Sequence, residues 1–124
     1  SDLNDDIQPD VFVTADKEKI SQVVINFLTN AFKYSGESRF VRVTLVRLKN
    51  SVRVDVIDRG IGISQEELPY IWDRYTKASL KHQTGDSNGI GLSIVKTIIS
   101  KHDGKYGVNS ALGKGSDFYF ELPL

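Results

Sequence analysis

Residues 22–35 read QVVINFLTNAFKYS, and this stretch predicts an amphipathic helix with two unlike faces. Apolar residues recur at helical spacing and form one stripe: Ile20, Val23, Val24, Phe27, Leu28 and Ala31. A second row at the same spacing, which we place on the opposite side, carries carboxamides and one cation: Gln22, Asn26, Asn30 and Lys33. Carboxamide oxygens ligate hard metal ions, and lysine pairs with phosphate. The row favours the binding of a magnesium nucleotide, although the sequence of this helix alone is equally consistent with a solvent-exposed polar face.

Three glycine clusters follow this helix and decide between those two interpretations. They are DRGIG at 58–62, NGIGL at 88–92 and GKGSDF at 113–118. Each lies at the edge of a predicted regular element, where the backbone must turn sharply or approach a ligand closely. Their order after an asparagine-rich helix argues against a merely solvated face and indicates a nucleotide site.

Composition limits the classes of protein to which this chain can belong. Its 124 residues suffice for one domain, with residues 1–9 predicted as the end of a linker and 10–124 as the domain. Because the 16 basic and 16 acidic residues balance, the chain has no net charge that would attract nucleic acid or a membrane surface. We therefore expect no nucleic-acid partner and a monomeric fragment. The absence of cysteine excludes disulfides and thiolate metal sites.

The periodicity predicts a two-layer α/β sandwich, with about three helices packed on one face of a mixed five-stranded sheet. Helices are predicted at 17–34, from Ser64 onward, and at 91–102. Strands are predicted at 11–15, 40–48, 52–57, 105–110 and 116–122, with 40–57 forming a hairpin. The polar segment 76–88 shows neither the periodicity of a helix nor that of a strand, and it is predicted to be a mobile loop.

Other nucleotide-binding folds do not fit the motifs. The segment Gly113-Lys-Gly-Ser116 lacks the upstream glycine and the Lys-Ser/Thr pair of a P-loop. No G-x-G-x-x-G follows a predicted strand, which argues against a dinucleotide fold. The catalytic-loop signature of Ser/Thr/Tyr protein kinases is also missing from the sequence.

The order and spacing of the motifs resemble the catalytic and ATP-binding domain of bacterial sensor histidine kinases, in the GHKL superfamily. The matching segments are 22–35 (N box), 58–62 (G1 box), 71–75 (F box), 88–92 (G2 box) and 113–118. The resemblance implies the Bergerat-type fold, with ATP and Mg²⁺ as cofactors. It also implies phosphoryl transfer to a histidine on a separate dimerisation domain of the parent chain, followed by a response regulator. The parent is expected to be a membrane-bound sensor with this domain on its cytoplasmic side.

The resemblance also assigns roles along the first helix. Asn30 is predicted to bind Mg²⁺, which takes oxygen ligands and keeps several waters. Asn26 is expected to support the phosphates and the metal-bound waters. Lys33 is expected to meet a phosphate as a point charge, and Tyr34 to pack on the sugar or base. Asn26, Lys33 and Arg74 are the predicted catalytic residues.

Asp58 is the predicted adenine reader, because a carboxylate accepts from the exocyclic amine and cannot serve a guanine carbonyl there. The alternative is a strand-end aspartate that forms a turn. Gly60 and Gly62 would let the backbone pass close to the base. The predicted apolar walls of the base pocket are Ile63, Ile71 and Leu92.

The third predicted contact region is the start of the last helix, where free N–H groups bind phosphate. Its residues are Gly89, Ile90, Gly91 and Leu92. Segment 76–88 is predicted to form a lid anchored by Trp72 and Tyr75, from which Arg74 or Lys77 would reach the terminal phosphate.

Some positions depart from the usual pattern of the family. Arg59 stands where a small or amide residue is more frequent, and Ser87 replaces a frequent glycine. Trp72 and Tyr75 replace phenylalanines. Two alternatives remain: an anti-sigma-type serine kinase, against which the run 33–35 argues, and a nucleotide-binding regulatory module without transferase activity.

Overall fold

The computed structural model describes residues 15–35, 40–73 and 91–124. Within them lie two α-helices, four strands and one 3-10 turn. The elements are α1 (Lys17–Tyr34), β1 (Val41–Arg47), β2 (Ser51–Asp58), the 3-10 turn Leu68–Tyr70, α2 (Gly91–Lys101), β3 (Lys105–Ser110) and β4 (Ser116–Pro123).

Helix α1 begins where the sequence predicts. The side chain of Asp16 caps it by accepting the backbone N–H of Lys19 at 3.2 Å. The backbone N–H of Asp16 in turn donates to Nε2 of His102 at 3.0 Å, and the other ring nitrogen lies 2.8 Å from the carbonyl oxygen of Ile98. The start of α1 is thereby held at the end of α2.

The four strands form one sheet in the order β1-β2-β4-β3. Every pairing among them is antiparallel, and β1 and β2 form the predicted hairpin, with Val43 opposite Val56. The parallel pairing of a mixed sheet does not occur among these strands. The predicted fifth strand, 11–15, lies outside the described residues except for Ala15.

Helices α1 and α2 pack on one face of this sheet. Alternate residues of β2 and β4 point toward them, and the ring of Phe27 packs on Phe118 and Phe120 with centroids 5.4 and 6.1 Å apart. The buried core contains the following side chains: Val23, Phe27, Ala31, Val52, Val54, Val56, Ile71, Val95, Ile98, Ile99, Phe118, Phe120 and Leu122. The predicted two-layer sandwich is confirmed.

Two local predictions were wrong. The alternation of apolar and polar residues in β1 predicts a half-buried strand, but Val43 and Leu45 are 51% and 63% exposed. The reason is that α1 packs mainly over β2 and β1 lies at the edge of the sheet. The segment after Ser64 was expected to be a helix but forms successive tight turns. Pro69 has no N–H to donate, so the α-helical pattern cannot continue through it.

Neither helix in the described part of the chain combines the length and the apolarity of a membrane span.

Candidate nucleotide-binding site

Asp58 ends β2 as a buried carboxylate, with only 4% of its surface exposed. Its Oδ1 accepts the N–H of Gly60 at 2.8 Å, and the carboxylate also accepts the N–H of Ser116. Burial raises the pKa of the Asp58 carboxyl, against the opposing effect of these two N–H groups. The carboxylate is therefore fixed in orientation and partly shielded from water, as an acceptor for one specific donor requires.

The polar row of α1 is half-buried, and its predicted position on the opposite side of the helix was wrong. The side that faces solvent carries Ile25 and Phe32 instead, which are 58% and 64% exposed. At 3.6 residues per turn, the row lies about a third of a turn from the apolar stripe. The residues of the row thus lie at the edge of the buried face of α1: Gln22, Asn26, Asn30 and Lys33.

Asn26 connects this row to the start of α2. Its Nδ2 donates to the carbonyl oxygen of Gly91 at 3.1 Å, which also settles the orientation of the amide. Gly91 is the first residue of α2, and the first N–H groups of a helix have no partner within it. The carboxamide of Asn26 therefore lies beside the start of α2, where backbone N–H groups can receive phosphate oxygens.

The end of α1 and Asp58 lie toward the same end of the sheet. Phe27 packs on Phe118, and Phe118 pairs with Val56. The next pair on the helix-facing side of the sheet is Asp58 with Ser116. Helix α1 starts at the far end of the sheet and runs toward this pair, so Asn30, nearly one turn beyond Phe27, approaches the level of Asp58.

A cavity of about 630 Å³ opens at this end of the sheet, a volume that suits a nucleotide base and sugar. Its lining includes Asp58, Leu68, Val108 and Ser116, but not Asn26, Asn30 or Lys33. Of the predicted base-binding residues only Asp58 lines this cavity, and Ile63, Ile71 and Leu92 do not. The predicted division into a base half and a phosphate half therefore remains a prediction.

The apolar residues predicted as walls have different environments. Ile63 and Leu92 are partly buried against the core, whereas Ile71 is a core residue with 6% exposure. Trp72 is anchored by aromatic contacts to Tyr106 and Phe118, with centroids 4.6 and 5.9 Å apart. The base of the predicted lid is thus firmly packed.

Gly62 has a structural task that the sequence did not reveal. Its φ is +75°, and a Cβ there would collide with the carbonyl oxygen of Ala111. The residue makes room for the β3–β4 turn, while its predicted approach to the base remains a prediction. Sequence reasoning also missed Ser110, whose hydroxyl joins this turn to the G1 segment 58–63.

Several predicted site residues lie outside the described part of the chain. They are Arg74, Tyr75, Lys77, Gly89 and Ile90, together with the proposed lid 76–88. The backbone of Tyr34 ends α1, but its side chain is also outside the description. Their roles remain predictions.

The model of the family described as histidine kinase-, DNA gyrase B-, and HSP90-like ATPase matches residues 15–124. This chain belongs to that family. The match includes every described element, and the expected membership of the GHKL superfamily is thereby confirmed.

Known sensor kinases are similar to the chain over nearly its whole length. Adaptive-response sensory kinase SasA of Prochlorococcus marinus is 38% identical over 125 residues, which cover 98% of this chain and 32% of SasA. Phosphate regulon sensor protein PhoR of Haemophilus influenzae is 31% identical over 119 residues, covering 94% of this chain and 28% of PhoR. The chain thus spans about a third of the length of these relatives.

Solved structures of histidine kinases share the fold. The catalytic domain of histidine kinase ThkA superposes with a TM-score of 0.75 at 31% identity, covering 94% of this chain and 72% of that one. Full-length ShkA in complex with AMPPNP gives a TM-score of 0.73 at 29% identity, covering 88% of this chain and 22% of ShkA. The histidine kinase type of catalytic domain, expected from the motifs, is confirmed.

Proposed function

We propose that this chain is the ATP-binding catalytic domain of a two-component sensor histidine kinase. It would donate the γ-phosphoryl group of ATP to a histidine on a dimerisation domain of the same parent protein, from which a response regulator receives it. One pair of observations carries the proposal: Asp58 is buried and oriented at the end of β2, and the carboxamide of Asn26 contacts the first described residue of α2. The structure of ShkA with AMPPNP, an ATP analogue, supports the choice of nucleotide.

In this proposal Asp58 selects adenine. Two backbone N–H groups already occupy part of its carboxylate, and the remaining acceptor capacity is available to the exocyclic amine. Guanine presents a carbonyl oxygen in that place, so two acceptors would face each other in a buried site. An unmatched buried polar pair of this kind costs about 1–3 kcal/mol.

The phosphates would lie along α1 and the N-terminus of α2. Asn30 fits Mg²⁺ because a carboxamide oxygen is a hard ligand, and this ion commonly takes few protein ligands beside phosphates and water. When bound, Mg²⁺ would neutralise phosphate charge. One amide N–H of Asn26 already donates to the carbonyl oxygen of Gly91, and the amide oxygen can accept a hydrogen bond from a metal-bound water. Lys33 would pair with a phosphate.

The protein's part in the transfer is to position the γ-phosphate and to stabilise its charge. The acceptor histidine must come from another domain in this proposal. Both ring nitrogens of His102 contact the backbone, at Asp16 and Ile98, and His82 lies outside the described residues. Because ATP and response regulators are cytoplasmic, we place the domain on the cytoplasmic side of its parent.

Replacing the proposed metal ligand tests this function. Asn30→Ala should lower phosphorylation of the parent's dimerisation domain, supplied in trans with radiolabelled ATP, by at least about 100-fold, because charge stabilisation of the transferring group is lost. Thermal unfolding should be nearly unchanged, since Asn30 lies outside the apolar stripe. The control is Thr29→Ala at the exposed neighbouring position.

Equal transfer by Asn30→Ala and Thr29→Ala would remove Asn30 from the metal site. ATP binding without any transfer by the wild-type chain would favour the regulatory module. Phosphorylation of a serine on a partner protein would favour the anti-sigma-type kinase.

A further inference from the structure

The hydroxyl of Ser110, the last residue of β3, is the meeting point of three hydrogen bonds. Its Oγ accepts the backbone N–H of Ile63 at 2.9 Å and donates to the carbonyl oxygen of Gly115 at 2.8 Å. It also lies 2.7 Å from Oγ of Ser116. One side chain therefore joins the G1 segment 58–63 to both ends of the β3–β4 turn.

The proton count fixes the direction of these bonds. A serine hydroxyl has one proton to donate and two lone pairs that accept. Because Ser110 gives its proton to Gly115, the remaining bond is made only if Ser116 donates its own proton to Ser110. Ser110 is then fully satisfied. Ser116 is likewise oriented, and it pairs directly with Asp58 across β4 and β2.

Other contacts fasten the same two segments together. The N–H of Gly113 donates to the carbonyl oxygen of Ile61 at 2.8 Å, and the side chain of Gln65 donates to the carbonyl oxygen of Ser110 at 3.0 Å. The buried backbone of Gly62 rests against Ala111. These contacts thus hold the G1 segment against the β3–β4 turn and fix its conformation.

We propose that Ser110 is a positioning residue for the adenine pocket: through Ile63 and Ser116 it holds the G1 segment and Asp58 in the arrangement that binds the base. The inference rests on the proposed function, because it concerns the same site. Ser110 itself need not touch the nucleotide. Removing its hydroxyl frees the N–H of Ile63, the carbonyl of Gly115 and the hydroxyl of Ser116 at once.

The first test follows the segment without any ligand. In Ser110→Ala, amide hydrogen exchange at Ile63 should accelerate by about tenfold or more relative to wild type, the size expected for one lost hydrogen bond. Val56 in the centre of β2 should keep its protection. Ser110→Thr, which retains the hydroxyl, should restore the protection of Ile63, and Ser100→Ala, at an exposed serine of α2, should change neither amide.

The second test measures binding by competition against a fluorescent ATP analogue. Ser110→Ala should bind MgATP roughly tenfold more weakly than wild type does. Its affinity for magnesium tripolyphosphate, which has no base, should equal that of wild type. Ser110→Thr should recover most of the ATP affinity. A general loss of stability would instead weaken both competitors and lower the protection of Val56.

Three results would overturn the inference. They are unchanged ATP affinity in Ser110→Ala, an equal loss for ATP and tripolyphosphate, and unchanged exchange at Ile63. Failure of the wild-type chain to bind ATP would overturn the proposed function as well. ATP binding by wild type together with equal binding by Ser110→Ala would overturn the role of Ser110 alone.

Discussion

Gly62 and Gly113 share one backbone conformation in two different surroundings. Their φ angles are +75° and +76°, in the left-handed region that favours glycine. At Gly62 a Cβ would collide with the carbonyl oxygen of Ala111, whereas at Gly113 nothing lies within 4 Å. The pair therefore separates the cost of backbone strain from the cost of a steric clash.

Gly113→Ala should lower the free energy of unfolding by about 1–2 kcal/mol, from strain alone. Gly62→Ala should cost at least about 1–3 kcal/mol more, because the added methyl forces the G1 segment away from the β3–β4 turn. Urea unfolding of both variants measures the difference. Equal destabilisation would mean that Gly62 is not packed as described.

At the scale of secondary structure elements, β2 and β4 carry a charged cluster on the face away from the helices. Arg53 makes two hydrogen bonds with Asp55, at 2.9 and 3.0 Å, and its guanidinium stacks 3.8 Å from the ring centroid of Tyr119. Asp117 lies beside Asp55, and its Oδ1 is buried without a hydrogen-bond partner. Burial, together with the hydrogen bond and charge of Asp55, raises the pKa of Asp117 to about 7.

This raised pKa predicts how stability depends on pH. The folded chain holds the proton of Asp117 more tightly than the unfolded chain, in which the pKa is near 3.8. The stabilisation is therefore present below about pH 4 and is lost as the pH rises toward 7. The pKa of Asp55 is lowered: burial raises it, but the hydrogen bonds from Arg53 and Asp117 outweigh burial, so Asp55 stays charged in this window.

Asp117→Asn should flatten the pH dependence of the free energy of unfolding between pH 5 and 7, since the amide imitates the protonated acid. Urea unfolding at several pH values measures this slope. The control Asp103→Asn, at an exposed position where asparagine also tolerates the left-handed backbone, should keep the wild-type slope. An unchanged slope in Asp117→Asn would show that Asp117 titrates normally.

At the scale of the whole molecule, Phe27 connects α1, the sheet and the segment after the 3-10 turn. It is fully buried, and its ring packs on Trp72, Phe118 and Phe120. Phe32, on the same helix, is 64% exposed. The same substitution at these two positions therefore compares the core with the surface of one element.

Phe27→Ala should lower the free energy of unfolding by about 3–5 kcal/mol, a large part of the 5–15 kcal/mol typical of a domain. Phe32→Ala should change it by less than about 0.5 kcal/mol. Thermal or urea unfolding of both variants measures the contrast. Similar losses would contradict the described orientation of α1.

Local patterns predicted much of this molecule. The apolar stripe predicted α1, and the glycine clusters at 58–62 and 113–118 marked the end of β2 and the start of β4. The polar row was placed on the opposite side of α1, although helical spacing alone sets it about a third of a turn from the stripe. Periodicity does not show which flank of the stripe a second helix will cover. Ile25 and Phe32 are apolar yet face solvent, in agreement with their positions outside the stripe.

Ser110 could not be predicted because its partners are distant in sequence. Its bond to Ile63 spans 47 positions and forms only when the end of β3 meets the G1 segment in the folded chain. A serine between a strand and a glycine turn is common, so the residue carried no signal of its own. The details of the site that depend on long-range backbone contacts thus required the structure.

Calorimetry with MgATP and MgGTP tests the central claim, that this chain binds adenine nucleotides through Asp58, most directly. Wild type should bind ATP at least about tenfold more tightly than GTP, and Asp58→Asn should lose at least about tenfold in ATP affinity, the size of one hydrogen bond to a charged group. Glu66→Gln, at an exposed position, should bind as wild type does. Equal affinities for ATP and GTP, or an undiminished ATP affinity in Asp58→Asn, would contradict the account.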